Sequence, residues 1–481
     1  MKQPPPPWHE MPLRVHSRPA ESSPPDTVLA RAAALMQLTG STALIIREGK
    51  KLKGILTDKD LRRATAAGAH PETTPVSRWM SAPVRTFPED IGMGAAQIAM
   101  LQHRINHLVL TPDGAPDSPV TGVVSQRDIL ITQSHSPALL LREIRQAGSA
   151  EALRKPVTSL QQLTGEYLNQ ALPLPYAMEI ATALKDAVIT RLVELAQETC
   201  PVPEVPFAWM ALGSLGRGEQ LLPTDQDNAL VFGKVPESDL ETTRSAFLAL
   251  ARQVNQGLES LGYAPCPAGM MAGNPRWCCT PKEWEGYFDQ WIGQPDEDSI
   301  LLSSVFLDLR YVCGSRELVS GIQEHLRGML PEASLFQAYL GVSALQAPPA
   351  FGLWGQLKRE GRGPHQGRFD LKARGLMPLV DAARLLTLSR GQFELKNTAA
   401  RYRYLAHEEP QNADLYARCR EAFLFLHGLR TRTGLQKANS GRYLRPALMP
   451  QKERKKLTRH LRVLKPLGQV LEQRFRLSGM R

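Results

Sequence analysis

The sequence predicts an α+β protein of several domains, and three observations predict it. An eight-residue pattern occurs twice near the N-terminus, each time after a helix-like stretch and an apolar strand. A second α/β region begins at Phe207, where two strand-like runs flank a glycine-rich loop with paired aspartates. Between and behind these regions, apolar residues recur at helical spacing. At 481 residues the chain exceeds what one core usually serves, so three or more domains are expected.

Residues 1–13, MKQPPPPWHEMPL, read as a disordered or polyproline lead-in without the apolar core of a signal peptide. The repeat organises residues 14–135. Gly54-Ile55-Leu56-Thr57-Asp58-Lys59-Asp60-Leu61 returns 68 residues later as Gly122-Val123-Val124-Ser125-Gln126-Arg127-Asp128-Ile129. Helices over 28–38 and 94–102 and strands over 43–46 and 107–110 are expected ahead of the two copies. In each copy a hydroxyl and an acid stand at the head of a helix, where they can address the ribose and phosphate of a nucleotide. A plain helix N-cap uses the same residues. Two copies at domain-like spacing resemble a tandem pair of cystathionine beta-synthase (CBS) domains, a module that in many families senses adenosine nucleotides. The resemblance implies an adenosine nucleotide contacted by Thr57, Asp60, Ser125 and Asp128, and homodimerisation through the pair. A dimerisation scaffold with an empty cleft is the rival reading.

Residues 136–200 change to helical periodicity, carried by Ile144, Leu153, Leu160 and Leu163 and then by Leu184, Val188, Leu192 and Leu195. They read as a helical connector. Pro201, Pro203 and Pro206 mark the entry into the next domain.

In that domain, 201–330, the informative stretch is LGSLGRGEQLLPTDQDNAL, residues 212–230. Phe207 to Leu212 reads as a buried strand that delivers Gly213 and Ser214 into a turn. There a missing side chain lets backbone amides approach phosphate oxygens, and the Ser214 hydroxyl can donate as well. Asp225 and Asp227 fall at or just before a second strand, and alternation puts both carboxylates on one side. Two hard anionic oxygens on one face suit Mg²⁺ that also carries substrate phosphates, and a pair of such ions can clamp an in-line transfer. An Asp-x-Asp alone would as readily cap a strand end. With its flanking strands and Gly-Ser turn, the stretch resembles the DNA polymerase beta-like nucleotidyltransferase superfamily. Its GSLGRGEQ and TDQDNAL segments resemble the bacterial branch related to PII-type uridylyltransferases, of the CBS-containing DUF294 type.

That resemblance implies a polymerase beta-like α/β core, two Mg²⁺ ions and a third metal-binding carboxylate on a later strand. Asp308, in the strand-like run 304–310, is the candidate, because an acid in an apolar run is costly to bury unpaired. A salt bridge to Arg310 or another base would meet the same cost. Asp289, Asp296, Glu297 and Asp298 lie in a Gly/Pro-punctuated segment that reads as loop surface. Arg217 is the candidate for neutralising a leaving pyrophosphate, with pairing to Glu219 as its rival. CPAGMMAGNPRW, residues 266–277, resembles a block of the same branch, including Met271, Asn274, Pro275 and Trp277, and is expected to shape the site.

Residues 331–481 read as helical again and resemble the substrate-binding helical domain that follows the core in this branch. Lys372 and Arg374 are within reach of a triphosphate or acceptor, or else pair with Asp370 or Asp381. The chain's net charge of +11 is concentrated here: residues 351–481 hold 28 Lys and Arg against 10 Asp and Glu. Such a surface suits nucleic acid, a triphosphate or an acidic partner. Without an aromatic-basic reading motif, nucleic acid ranks below a protein as the partner.

No apolar run approaches bilayer length, and the six cysteines lack Cys-x-x-Cys spacing. A cytoplasmic protein without structural zinc or disulfides is therefore expected. The resemblance implies Mg-dependent transfer of NMP from UTP or ATP to a hydroxyl acceptor on a protein, regulated by adenosine nucleotide. Two departures from the full uridylyltransferases are visible. No His-Asp hydrolase block is recognisable, and CBS domains stand where those enzymes carry amino-acid-sensing ones. A non-catalytic nucleotide-binding signalling protein and an RNA-modifying nucleotidyltransferase are the alternatives.

Overall fold

The computed structural model describes Leu13, Ser17 and residues 20–49, 51–103, 105–126, 128–129, 137–169, 172–352 and 354–479. The expected lead-in lies outside these residues except for Leu13. The chain divides into two compact units after Leu139.

The N-terminal unit holds two three-stranded sheets of the same topology. β1 (Ser22–Ser23) pairs parallel with β2 (Ala43–Glu48), and β2 pairs antiparallel with β3 (Lys51–Thr57). β4 (Thr86–Pro88), β5 (His107–Thr111) and β6 (Gly122–Ser125) repeat that order and those directions. The helices Leu29–Thr39 and Met93–His103 precede β2 and β5, in agreement with the periodicity. Each half buries its own apolar cluster, one around Leu29, Leu44 and Leu56, the other around Met93, Leu108 and Val124. The two repeats are thus built as two self-contained cores.

The second unit is organised on a four-stranded sheet. β7 (Phe207–Ala211) runs antiparallel to both β8 (Asn228–Phe232) and β10 (Arg310–Gly314), and β8 pairs parallel with β9 (Cys278–Cys279). Every residue of β8 is buried, as an apolar run covered on both faces requires. The helices Arg154–Asn169 and Leu174–Thr199, expected as a connector, share one apolar core with this sheet: Leu160, Leu184 and Leu192 join Trp209, Leu230 and Phe247. Arg310 on β10 grips Asp186 of the second helix at 2.6 and 2.9 Å.

One expected element is corrected. The run 304–310 is not a strand: a helix occupies Glu297–Phe306, and the strand begins only at Arg310. Asp296 and Ser299 form a capping box, each side chain bonding the other's backbone N–H at 2.7 Å, and this starts the helix that the apolar run then continues. Asp308 is left in the turn between helix and strand.

A bundle containing the helices Ser334–Leu345, Met377–Leu388, Thr398–Glu408, Ala413–Lys437, Gln451–Leu461 and Leu464–Arg474 completes the unit. Leu379, Tyr402, Phe423 and Leu461 extend the same core, so sheet and bundle form one body. Among the described residues no helix is long and apolar enough to cross a membrane.

Candidate functional site

Asp225 and Asp227 lie in the segment that enters β8, and their direction is set by the residues between and after them. Gln226 Nε2 donates to the carbonyls of Asn255 (3.1 Å) and Tyr263 (3.0 Å). Asn255 Nδ2 donates to Gln226 Oε1 (2.9 Å) and Asn228 Oδ1 (3.0 Å), and the Ala272 N–H donates to Asn228 Oδ1 at 2.8 Å. All three amide side chains are buried, so a one-residue slip would strand several polar groups at roughly 1–3 kcal/mol each. With Gln226 and Asn228 locked inward, Asp225 and Asp227 face a cleft.

The 266–277 block gains a definite role from this network. Met270 O accepts the Asn228 N–H at 3.1 Å, and the Gly273 N–H donates to Asn255 Oδ1 at 3.0 Å. Trp277 anchors the block by packing on Phe306 at a ring separation of 4.5 Å and stacking on Trp284 at 6.0 Å.

β7 runs into a single helical turn, Gly213–Gly216, in which Gly213 has φ +52°. A Cβ on Gly213 would stand 2.8 Å from Asp227 Oδ2, so a side chain here would both strain the backbone and displace the carboxylate. Gly216 is equally confined, because its Cβ would collide with the Asp308 carbonyl oxygen. Burial pushes the Asp227 carboxyl above its ordinary range. A hydrogen bond to the Cys266 thiol opposes that shift, the neighbouring Asp225 charge adds to it, and Lys372 and Arg217 oppose it.

The cleft, about 130 Å³, has Gly213, Ser214, Arg217, Asp225 and Asp227 on one side and Lys372, His427 and Arg430 on the other. Lys372 opens a π-helical turn, Lys372–Leu376, a wide winding frequently found at functional positions. Burial lowers its pKa, with Arg430 acting the same way and Asp225 in opposition. Arg430, on the helix Ala413–Lys437, donates from Nε to Ser440 O at 3.0 Å. Burial lowers its pKa as well, and Asp225 opposes the shift. His427 is pushed down to about 3 by burial and then by Arg430 and Arg217, so it is neutral at neutral pH. Arg374 takes no part in the cleft and pairs with Glu360 at 2.9 Å. Arg430 and His427 escaped the sequence reading because nothing near them in sequence marks them.

Asp308 is placed elsewhere. It is wholly buried, and its carboxylate receives Arg217 Nη1 at 2.8 Å, Arg384 Nη2 at 2.7 Å and Arg401 Nη2 at 2.9 Å. Burial alone would raise this carboxyl, but Arg384, Arg401 and Arg217 outweigh it and hold the group far below the carboxylate range. Asp308, expected as a metal ligand, is therefore the centre of an ion cluster. The base that reaches it is not Arg310, which is engaged with Asp186. Arg217 makes the pairing expected as its rival role, its Nε donating to Glu219 at 2.7 Å, and it also lines the cleft. Asp296, Glu297 and Asp298 lie at the start of the helix Glu297–Phe306, and Asp289 pairs with His325 at 2.6 Å.

The donor set fits one Mg²⁺ carried with phosphates, since that ion is commonly bound by one or two carboxylates plus substrate oxygens. It does not fit a second ion on Asp308. Among the described residues no group of three or more His, Cys, Asp and Glu side chains is placed to hold a metal ion.

In the N-terminal unit, Thr57, Asp60 and Ser125 line a separate cleft of about 480 Å³ together with Lys59, Arg62 and His107. Asp128 does not line it. The hydroxyls already face the acids: Thr57 Oγ1 donates to Asp60 Oδ2 at 2.7 Å and Ser125 Oγ to Asp128 Oδ2 at 2.6 Å. In both copies the backbone N–H of the hydroxyl residue bonds the same carboxylate oxygen, at 3.0 and 2.9 Å. The helix-capping alternative is thus present at the very residues that approach the cleft.

Residues 158–298 match the family described as "Putative nucleotidyltransferase DUF294", and residues 334–475 the one described as "Putative nucleotidyltransferase substrate binding domain". Residues 14–67 and 76–134 match the CBS domain. The CBS domain-containing protein YhcV of Bacillus subtilis (strain 168) is 29% identical over 109 residues, which is 23% of this chain and 75% of that protein. Similar solved structures include an uncharacterized conserved protein from Pyrococcus horikoshii (22% identity, 26% of this chain and 93% of that one, TM-score 0.24). Another is "a putative signal-transduction protein with CBS domains" from Burkholderia ambifaria MC40-6 (22% identity, 25% of this chain and 86% of that one, TM-score 0.23).

Proposed function

We propose that this CBS-domain-containing protein, with its paired DUF294 domains, is a signalling protein that binds a nucleoside triphosphate in the cleft between sheet and bundle. The observation that carries the reading is the reversal of charge across the cleft. Asp225 and Asp227 enter from the sheet side, and Lys372 and Arg430 face them from the bundle. That is the pattern a metal–polyphosphate complex requires, with carboxylates for the cation and fixed bases for the phosphate oxygens. Lys372 and Arg430 neutralise the phosphates, Ser214 donates a hydroxyl, and Gly213 leaves the space that Asp227 occupies. Mg²⁺ held by Asp225 and Asp227 would screen the phosphates and polarise them as a Lewis acid.

Isothermal titration with each of the four NTPs, with and without Mg²⁺, tests this reading. Wild type is expected to bind at least one of them with Mg²⁺, and Asp227→Asn to lose that binding. Silence with all four NTPs would overturn it.

A second reading is favoured by the paired carboxylates and the glycine turn: transfer of NMP to a hydroxyl acceptor, on a protein or an RNA, with UTP or ATP as donor. The acceptor oxygen would attack the α-phosphorus, the bond to the β-phosphoryl oxygen would break, and pyrophosphate would leave. Arg217 stands beside the phosphates, but Asp308 is not free to activate the acceptor, whose proton must pass to another base. Radiolabel from an NTP appearing on a macromolecule with wild type but not with Asp227→Asn would establish transfer over binding alone.

The N-terminal cleft is proposed as the input. Lys59 and Arg62 supply charge for a phosphate, and Thr57, Asp60 and Ser125 border the same space. An adenosine nucleotide there would regulate the second unit, and thermal shift with AMP and ATP tests it: no shift with either leaves the pair as a scaffold.

A further inference from the structure

A second groove in this unit lies away from the Asp225–Asp227 cleft. About 600 Å³ in volume, it is lined by Arg359, Arg454, Lys455, Arg459 and Arg462, with no acidic residue among its lining. All five bases are exposed. Four of them stand on or just beyond the helix Gln451–Leu461, which buries Leu457 and Leu461 in the core. From Arg454 to Arg462 the basic face extends about 12 Å at 1.5 Å per residue. Holding five like charges along one groove costs self-repulsion that a polyanion would relieve.

A second observation comes from the loop on the other wall. Phe351 and Leu357 form a bridge, and the Gly352 N–H donates to Gln356 O at 2.8 Å, so Trp354 and Gly355 lie in a turn. Trp354 sits in that turn and is 91% exposed, while Gly355, Gln356 and Leu357 beside it line the groove. The next residue, Gly355, has φ +74°, the left-handed conformation such a turn needs. A solvent-exposed tryptophan next in sequence to a residue that lines a basic groove is a platform on which a nucleobase can stack.

We propose that this groove binds single-stranded nucleic acid, with its bases on the phosphodiester backbone and Trp354 stacked on an unpaired base. The ligand must be single-stranded because stacking on Trp354 needs a base face that a duplex keeps covered. An acidic polypeptide would satisfy the charges but would leave the tryptophan unused. The site shares no residue with the proposed nucleotide cleft, so either reading can fail alone.

The test is fluorescence anisotropy of the full chain with labelled single-stranded RNA and DNA of about 16 nucleotides, a site size within the range of known single-strand binders. A duplex and polyglutamate serve as competitors. Binding is expected to weaken with salt at a log–log slope of about −3.5, from about −0.7 for each of five phosphates contacted. Arg454→Glu with Arg459→Glu is expected to lower affinity at least tenfold and flatten that slope. Trp354→Ala is expected to lower it at least fivefold at unchanged slope. Both variants should melt like wild type, because the altered side chains are exposed, and Lys282→Glu on a separate helix should bind normally. Absence of binding at low salt, full binding after the charge reversal, or competition by polyglutamate or duplex as strong as by single strands would overturn the proposal.

Discussion

A carboxylate offers about four lone-pair sites, and at Asp308 four guanidinium N–H bonds arrive: one from Arg217, two from Arg384 and one from Arg401. Three of these bonds reach Oδ2 and one reaches Oδ1, so a cation entering here would meet three guanidinium charges already neutralising the carboxylate. Asp308→Asn should therefore destabilise the fold by about 3–5 kcal/mol, the usual result of removing one partner from a buried ion pair. Urea denaturation measures it; a variant of unchanged stability that loses Mg²⁺-dependent nucleotide binding would restore Asp308 to the metal site. The sequence could not show this, because the three arginines are 91, 76 and 93 residues away from Asp308. Asp225 and Asp227 were legible for the opposite reason: their spacing and the strand that orients them are contained in a few consecutive residues. Thr57 and Asp60, and likewise Ser125 and Asp128, were legible as repeats. Their three-residue separation also encoded the capping box that now joins them.

At the scale of elements, the helix Leu174–Thr199 does more than connect. Its Lys185 is buried under the glycine loop and donates from Nζ to Gln220 O at 2.5 Å and to Leu222 O at 3.3 Å. Burial lowers its pKa to about 7. Lys185→Met keeps the volume but leaves two carbonyls without donors, at about 1–3 kcal/mol each. Faster amide exchange through residues 219–227 is the expected consequence, and an unchanged exchange pattern would show that the loop holds itself. Periodicity revealed this helix but not its place in the core, since an apolar stripe says that a face is buried without saying against what. The run 304–310 was misread for a related reason: short apolar runs fit either period, and the deciding signal was the Asp296–Ser299 cap upstream.

For the whole molecule, buried charge predicts an acid-sensitive fold. Burial would raise the Glu409 carboxyl, but hydrogen bonds from Arg474, Asn412 and Tyr416 bring it down to about 2 from 4.5. Carboxyls lowered in the folded state, Glu409 and Asp308 alike, stabilise above their unfolded pKa near about 4. That contribution is lost as pH falls through the folded values. His427, lowered from 6.5 to about 3, acts in the same direction, because below pH 6.5 the unfolded chain takes a proton that the folded chain refuses. Melting temperature should thus begin to fall near pH 6.5 and drop more steeply below about 4; a flat profile from neutrality to about pH 3 would contradict the buried cluster.

The central claim, that Asp225 and Asp227 present a divalent ion to phosphates held by Lys372 and Arg430, is tested most directly by Mn²⁺ and phosphorus NMR. With Mn²⁺ in place of Mg²⁺, the account predicts that the phosphorus signals of a protein-bound NTP broaden in wild type. In Asp227→Asn that protein-dependent broadening should vanish. A bound nucleotide whose phosphorus signals stay sharp, or broaden equally in Asp227→Asn, would contradict it.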